Sequence, residues 1–222
     1  MIDLQDGPEH VLVMAVQTDQ YSPEQFQVIL DEMTSLTETA GGQVIEVVTQ
    51  KLPKLDGRTA VGSGKLEEIA ALVEAREIDL VISLNALTPS MNRQLEASLK
   101  VQVIDRVQLI LDIFAMRARS REGKLQVALA QYNYLLPRLY GQGKHLSRQG
   151  GGIGTRGPGE TKLESDRRHI RSVIHHVKEE LADIAAHRDR TRSRRAQGGH
   201  WQVGLVGYTN AGKSTLLTQL TQ

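Results

Sequence analysis

The sequence predicts an α/β fold, with a small parallel sheet flanked by helices, followed by a long antiparallel helical hairpin. Two observations predict it. Four apolar strand-like runs alternate with helix-like segments in the first half, and two long segments with helical spacing follow. Alternation of strands and helices favours a parallel sheet with right-handed crossovers. We therefore predict an α/β subdomain at 1–105, a helical hairpin subdomain at 106–198, and a third, incomplete domain at 199–222.

The strands of the first subdomain are predicted from short runs of apolar residues. These runs are rich in valine and isoleucine, which are common in strands. The four predicted strands lie at 11–16, 43–49, 80–84 and 101–104.

The three helices between these strands are predicted from their first residues. Serine or threonine followed by proline is typical of a helix N-terminus, as at Ser22-Pro23 and Thr88-Pro89. A further helix is predicted from about Gly64 to Arg76. Its start, Val61 to Lys65, resembles a phosphate-binding loop only superficially, so we interpret Ser63 as an N-cap.

The second subdomain is predicted to be helical from Arg106. Apolar residues recur every three or four positions in 106–139, without a strand-like run. A second helical segment, about 161–197, has a heptad seam formed by Ile170, Ile174, Val177, Leu181 and Ile184. The narrow seam and charged outer faces favour a projecting hairpin over helices buried in a bundle.

The predicted connection between the two helices, residues 141–159, is rich in glycine and free of acidic residues. Eight of its nineteen residues are glycine, and no Asp or Glu occurs between Glu122 and Glu160. Glycine lets the backbone approach another surface closely, and positive charge favours phosphate. Lys144, Arg148 and Arg156 are therefore candidate RNA contacts. A flexible tip that contacts nothing is the alternative.

Charge is divided unevenly along the chain. Residues 1–105 carry a net charge of −10, and residues 106–222 carry +11. This asymmetry favours a polyanionic partner for the basic half, although attraction between the halves is the alternative. Arg188, Arg192 and Arg195 are further candidate RNA contacts, because guanidinium groups bind phosphate bidentately. They could equally form a solvated helix end that complements the helix dipole.

Composition excludes several classes of protein. The 222 residues contain no cysteine, which excludes disulfides, thiolate metal sites and cysteine nucleophiles. No apolar run reaches the roughly 18 residues of a membrane span, and no signal peptide is recognisable. No histidine pair at i, i+4 suggests a metal site, and no serine-hydrolase signature occurs. We expect a cytoplasmic monomer.

Residues 207–214, Gly-Tyr-Thr-Asn-Ala-Gly-Lys-Ser, fit the phosphate-binding pattern G-x-x-x-x-G-K-S in full. The predicted strand 201–206 precedes the pattern and a helix follows, as this motif requires. The third domain is therefore the truncated start of a P-loop domain. The candidate nucleotide-binding residues are Gly207, Tyr208, Thr209, Asn210, Ala211, Gly212, Lys213, Ser214 and Thr215.

Each position of the motif has a chemical role. The glycines permit a tight turn whose amides point at phosphate, and the following helix start binds the same group. Lys213 supplies a charge to the β- and γ-phosphates, and the Ser214 hydroxyl is a Mg²⁺ ligand. Thr215 could contact the α-phosphate. No Walker-B aspartate or switch loop follows, so we expect the chain itself not to hydrolyse nucleotide and not to bind it tightly.

Together these residues resemble the HflX family of ribosome-associated GTPases. The segments that carry the resemblance are VIDR at 103–106, LDIFA at 111–115, EGKLQVALAQ at 122–131, GGIGTRGPGETKLE at 151–164, DRR at 166–168 and GYTNAGKST at 207–215. The resemblance implies GTP and Mg²⁺ as cofactors. It also implies binding to the large ribosomal subunit and its rRNA, with a role in splitting or rescuing ribosomes. The hairpin tip would then reach rRNA near the peptidyl-transferase region.

Two other functions remain open at this point. The sheet and hairpin could form a regulatory interaction domain of a P-loop NTPase, with no RNA contact. An ATPase or a small-molecule kinase is also compatible, because a phosphate-binding loop does not read the base. Guanine selectivity therefore rests on the resemblance alone.

Overall fold

The computed structural model describes residues 8–139, 158–197, 204–208 and 211–221. The chain divides into two compact units, Met1–Leu181 and Ala182–Gln222. The strands are β1 (His10–Gln17), β2 (Gln43–Lys51), β3 (Leu80–Ser83) and β4 (Gln102–Asp105). The helices are α1 (Pro23–Thr39), α2 (Ser63–Ala75), α3 (Pro89–Leu99), α4 (Arg106–Arg117), α5 (Arg121–Leu139), α6 (Pro158–Gln197) and α7 (Lys213–Thr221).

The four strands of the first unit form one parallel sheet, in the order β2-β1-β3-β4. This confirms the predicted fold class. All six residues from Val11 to Val16 are buried, as expected for a central parallel strand covered on both faces.

The core consists of two layers, one on each face of the sheet. Side chains along β1 alternate between them, because successive residues of a strand point to opposite faces. Leu12 and Met14 pack with residues of α2 and α3, such as Ile69 and Leu95. Val11 and Val13 pack in the other layer, which α1 and α4 cover with Phe26, Leu30, Met33, Leu109 and Ile113.

The predicted helix starts are confirmed at two helices and wrong at a third. Ser22 caps α1, with a capping box to Gln25, and the Thr88 hydroxyl accepts from the Met91 amide at 3.2 Å. The N-cap of α2, however, is Gly62, and Ser63 is the first helical residue. The Gly62 amide donates instead to Gln50 Oε1 at 3.0 Å, so a side chain from β2 fixes this helix start.

The helical segment 106–139 is divided into two helices. Asp105 caps α4 by accepting from the Gln108 amide at 3.1 Å. Helix α4 ends at Arg117, and the backbone of its C-cap residue, Ala118, is extended. The Ser120 hydroxyl then accepts from the Gly123 amide at 3.0 Å, at the start of α5. Since α4 packs on the sheet, the packing shows no division at residue 105, and the predicted domain bounds stay a prediction.

Helix α6 has 40 residues and begins at Pro158. Pro158 and Gly159 therefore belong to the helix rather than to the predicted loop, since proline suits the first helical position. Residues 141–157 of that loop lie outside the described residues. Three seam residues are buried, namely Ile170, Ile174 and Val177. Arg121 Nη2 lies 2.7 Å from Glu180 Oε2, which places the start of α5 beside α6, as an antiparallel hairpin requires.

The second unit contains the end of α6, residues 204–208 and helix α7. The predicted strand 201–206 is wrong for 204–206, which have no regular secondary structure, and 201–203 lie outside the described residues. A strand needs a neighbouring strand to satisfy its backbone groups, and the described part of this unit contains none. Across the described parts of both units, no helix is both long and apolar enough to cross a lipid bilayer.

Candidate functional site

The phosphate-loop motif lies between an extended segment and the start of α7. Gly212 has φ +76°, a conformation that side chains disfavour, which confirms the need for glycine at this position. Gly207 differs, since an added Cβ would lie 3.7 Å from Ala211 Cβ, an ordinary contact. The Ala211 amide donates to Tyr208 O at 3.2 Å and closes the turn. Thr209 and Asn210 lie outside the described residues.

The Lys213 ammonium group lies over the loop. Its Nζ donates to Gly207 O at 2.8 Å and also to Tyr208 O. The side chain therefore folds back from the first residue of α7 across the turn. This position brings the positive charge close to the backbone of Gly207 and Tyr208.

The start of α7 provides backbone donors beside this charge. The Leu216 amide donates to Gly212 O at 2.9 Å, which is the first bond of the helix. Amides that precede Leu216, such as those of Ser214 and Thr215, therefore have no acceptor within the helix. Free amides, the positive end of the helix dipole and an ammonium group together favour an anion.

The residues of the loop fit a Mg²⁺ ion that arrives with a nucleotide. Ser214 is exposed in the first turn of α7, next to Lys213. The described residues contain no group of three or more His, Cys, Asp or Glu that could hold a metal. Mg²⁺ takes few protein ligands and completes its shell with phosphate oxygens and water, so a single exposed hydroxyl fits it. When bound, the ion would neutralise charge on the phosphates.

Apolar side chains around the loop are exposed. Val206 is 98% exposed and Tyr208 92%, and the exposed residues of α7 include Leu216, Leu217 and Leu220. Helix α7 has no buried residue among those described. Among the described residues, the loop is held by the hydrogen bonds of Lys213 and of the Ala211 amide.

The predicted RNA contacts are only partly described. Arg188 and Arg192 lie on the last turns of α6 and are exposed. The side chain of Arg195 and all of Lys144, Arg148 and Arg156 lie outside the described residues. These six residues therefore stay predictions.

A buried ionic cluster that was not predicted from the sequence lies at the carboxyl end of β4. Asp105 is 1% exposed, and its Oδ2 accepts from Arg138 Nη2 at 3.0 Å and from the Leu87 amide at 3.1 Å. Arg138 Nη2 also donates to Leu87 O at 3.1 Å. The cluster fastens the end of α5 to the sheet. In the sequence, the one sign of this cluster is Asp105 itself, a single aspartate at the end of an apolar strand.

The same cluster contains an aromatic ring. The Arg138 guanidinium carbon lies 3.3 Å from the centre of the Tyr134 ring, a cation–π contact. Burial and the neighbouring Asp105 carboxylate raise the pKa of Tyr134 above its usual value. Arg121 and Arg138 thus both pair within the protein, but only the Arg138 side chain is largely buried with its partner.

Two families of protein sequences match the chain. The family described as GTP-binding GTPase N-terminal matches residues 27–115, and the GTP-binding GTPase Middle Region matches residues 117–195. Among curated relatives, "GTPase HflX" of Alkalihalophilus pseudofirmus is 54% identical over 96% of this chain and 50% of its own length. "GTPase HflX" of Escherichia coli K12 is 44% identical over 100% of this chain and 51% of its own.

Solved structures resemble the fold. The crystal structure of SsGBP in complex with GDP aligns with a TM-score of 0.59 at 21% identity, over 96% of this chain and 55% of that chain. A GTP-binding protein of Sulfolobus solfataricus, also in complex with GDP, gives 0.53 at 22% identity, over 96% and 53% of the two chains. At this identity the likeness supports the fold alone. The chain spans about half the length of the curated relatives it matches.

Proposed function

Because the chain belongs to the HflX family, we propose that it supplies the phosphate-binding loop and the RNA-binding portion of a GTPase that acts on the large ribosomal subunit. GTP and Mg²⁺ are the proposed cofactors. The proposed role is in translation, through the splitting or rescue of ribosomes in the cytoplasm.

The observation that carries the proposal is the geometry of residues 207–215. Gly212 adopts positive φ, Lys213 lies over the turn, and α7 begins there with free amides. Lys213 would neutralise the β- and γ-phosphates, the amides would bind phosphate oxygens, and Ser214 would hold Mg²⁺. The curated relatives named GTPase support guanine as the base.

The proposed RNA contact rests on charge. Residues 106–222 carry a net charge of +11, and the segment 141–159 is basic, rich in glycine and free of Asp and Glu. A positive surface without carboxylates binds the phosphate backbone by releasing counterions. We propose Lys144, Arg148, Arg156, Arg188, Arg192 and Arg195 as contacts to ribosomal RNA.

We also propose that the 222-residue chain does not turn over nucleotide by itself. Phosphoryl transfer needs a second Mg²⁺ ligand and a group that positions water, in addition to the loop.

Isothermal titration of the chain with GTP in the presence of Mg²⁺ tests this. We expect no binding stronger than the millimolar range, whereas micromolar affinity would contradict the proposal. The matched experiment uses a protein of the relatives' full length, with and without Lys213→Ala. There we expect GTP binding and hydrolysis, with hydrolysis reduced at least about a hundredfold in the variant. Equal activity of the two proteins would show that Lys213 does not take part in hydrolysis.

A further inference from the structure

A crevice of about 330 Å³ lies at the carboxyl end of the parallel sheet. The loops that follow β1, β2 and β3 form its walls, together with the first residue of α4 and one residue of α1. Its polar side chains include Thr18 after β1, Lys54 after β2, Asn85 after β3 and Arg106 after β4. All four strands thus contribute to one crevice at a single edge of the sheet.

The crevice lies where the connections of the sheet change direction. In the strand order β2-β1-β3-β4, the chain passes from β1 to β2 on one side and then returns to β3 on the other. Helix α1, after β1, covers one face of the sheet, whereas α3, after β3, covers the opposite face. The two loops therefore diverge and leave an opening between them. In open parallel sheets, ligands bind at this point, outside the carboxyl ends of the strands.

Two residues of the crevice each have a buried polar atom without a hydrogen-bond partner in the described parts of the chain. These atoms are Thr18 Oγ1 and Arg106 Nε. Buried polar groups in folded proteins almost always have a partner. Asn85 shows the ordinary case, because its side chain accepts from the Val16 amide at 2.8 Å and donates to Val16 O at 3.1 Å. Asn85 therefore fixes the loop after β3, whereas the two unsatisfied atoms can be satisfied by a ligand.

The charge of the crevice suits a single negative charge. Lys54 and Arg106 are its two cations, and none of the described residues that line it is acidic. Arg106 Nη2 lies 2.7 Å from Glu32 Oε1, so this pair is close to neutral, and Lys54 leaves a net charge of about +1. Residues 1–105 carry a net charge of −10, which opposes a polyanion. A ligand with several phosphate groups would therefore be poorly balanced here.

Apolar side chains complete the lining of the crevice. They include Ile29 of α1, Leu55 after β2 and Leu84 after β3. A volume of about 330 Å³ lies at the lower end of the range for small-molecule sites, which combine apolar walls with a few polar groups. The crevice therefore suits a small ligand with one charged group and an apolar body.

We propose that this crevice binds a small monocarboxylate with an apolar body. Arg106 Nε and the Lys54 ammonium group donate to the carboxylate, and so does the Thr18 hydroxyl, because an ionised carboxylate only accepts hydrogen bonds. The apolar body packs against Ile29 and Leu84. The site is separate from residues 207–215 and does not depend on the proposed function.

Titration of the full 222-residue chain with benzoate, followed by ligand-observed NMR, tests this proposal. The test variants are Thr18→Val, which removes the hydroxyl, and Lys54→Gln, which removes the charge. Their matched controls are Thr49→Val and Lys51→Gln, at exposed positions of β2 that do not line the crevice. Benzamide, the neutral analogue of benzoate, and ATP are the comparison ligands. Circular dichroism and thermal melting show that each variant is folded.

We expect benzoate to bind the wild-type chain with a Kd on the order of 1 mM, which is reasonable for a ligand of this size. Both test variants should bind benzoate at least about fivefold more weakly, because each loses a hydrogen bond to a charged group. The two controls should match the wild type. Benzamide should also bind at least about fivefold more weakly than benzoate, because it lacks the negative charge.

Three results would overturn the proposal. The first is a wild-type chain that shows no saturable binding of benzoate in the millimolar range. The second is a pair of test variants that bind benzoate as the wild type does, since the ligand would then lie elsewhere. The third is ATP that binds more tightly than benzoate and is weakened by the same two substitutions, which would contradict the assignment to a monocarboxylate. All three would leave the proposed function intact.

Discussion

The Asp105 side chain forms hydrogen bonds with residues of three regions: the start of α4, the segment before α3 and the end of α5. Its carboxylate caps α4 through the Gln108 amide, accepts from the Leu87 amide before α3, and pairs with Arg138 at the end of α5. A buried carboxylate is tolerated when several donors satisfy it. The position of the end of α5 on the sheet thus depends on one ion pair in which the Asp105 side chain is almost fully buried.

Replacing Arg138 with methionine should therefore be costly. Removing one partner of a buried ion pair leaves an uncompensated charge, and we expect a loss of about 3 kcal/mol in the free energy of unfolding. Arg121→Met is the control, because the Arg121 side chain is 75% exposed and its pair with Glu180 should contribute less than about 1 kcal/mol. Urea denaturation of both variants measures the difference. Equal losses would show that the cluster does not fasten α5.

The raised pKa of Tyr134 predicts that the stability of the protein depends on pH in the alkaline range. The folded state keeps this hydroxyl neutral above the usual pKa of tyrosine, near 10, whereas the unfolded state ionises there. Stability should therefore be intact below pH 10 and should decrease as the pH rises above about 10. Tyr134→Phe should reduce this decrease. At pH 7 the variant should differ from wild type by less than about 1 kcal/mol, because the buried hydroxyl has no hydrogen-bond partner in the described structure.

Thermal unfolding of the two proteins between pH 8 and pH 11 measures this effect. The difference between wild type and variant removes the contribution of other groups that titrate in the same range. Parallel curves over this whole range would contradict the account of Tyr134.

Helix starts illustrate what the sequence can and cannot predict at the level of elements. Ser22 and Thr88 were predictable, because serine or threonine before proline has a local physical reason to cap a helix. The N-cap of α2 was not predictable. It is Gly62 rather than Ser63, and the side chain of Gln50, distant in sequence, satisfies the Gly62 amide. The break at 118–120 was also missed, since no glycine or proline marks it. The Ser120 hydroxyl, bonded to the Gly123 amide, is the local signal.

Ser22 and Ser63 give a matched pair of substitutions. Ser22→Ala removes the capping box of α1 and should cost about 1 kcal/mol of stability. Ser63→Ala should change stability by less than about 0.5 kcal/mol, because Ser63 is not the N-cap and α2 has no side-chain cap bond. Chemical denaturation distinguishes these values. A larger loss at Ser63 than at Ser22 would contradict the observed helix starts.

For the molecule as a whole, the sequence predicted the parallel sheet correctly, and it contains a recognisable phosphate-binding motif. The apolar run is clear at β1, where six consecutive buried residues require cover on both faces. The motif was recognisable because each of its residues has a chemical role, and the positive φ of Gly212 fits the tight turn that the motif needs. The binding of nucleotide by these residues stays a prediction. The ionic cluster was not predictable, because it joins Asp105 to a residue 33 positions away. Sequence spacing contains no information about such long-range pairs.

The charge distribution supports our proposal that the basic half of the chain contacts ribosomal RNA. Co-sedimentation with purified large ribosomal subunits, over a range of salt concentrations, tests this claim most directly. We expect the wild-type chain to pellet with the subunits in a salt-sensitive manner. Arg148→Glu/Arg156→Glu should weaken this association at least about tenfold and flatten its dependence on salt. A wild-type chain that stays in the supernatant at low salt, or a variant that pellets as the wild type does, would contradict the account.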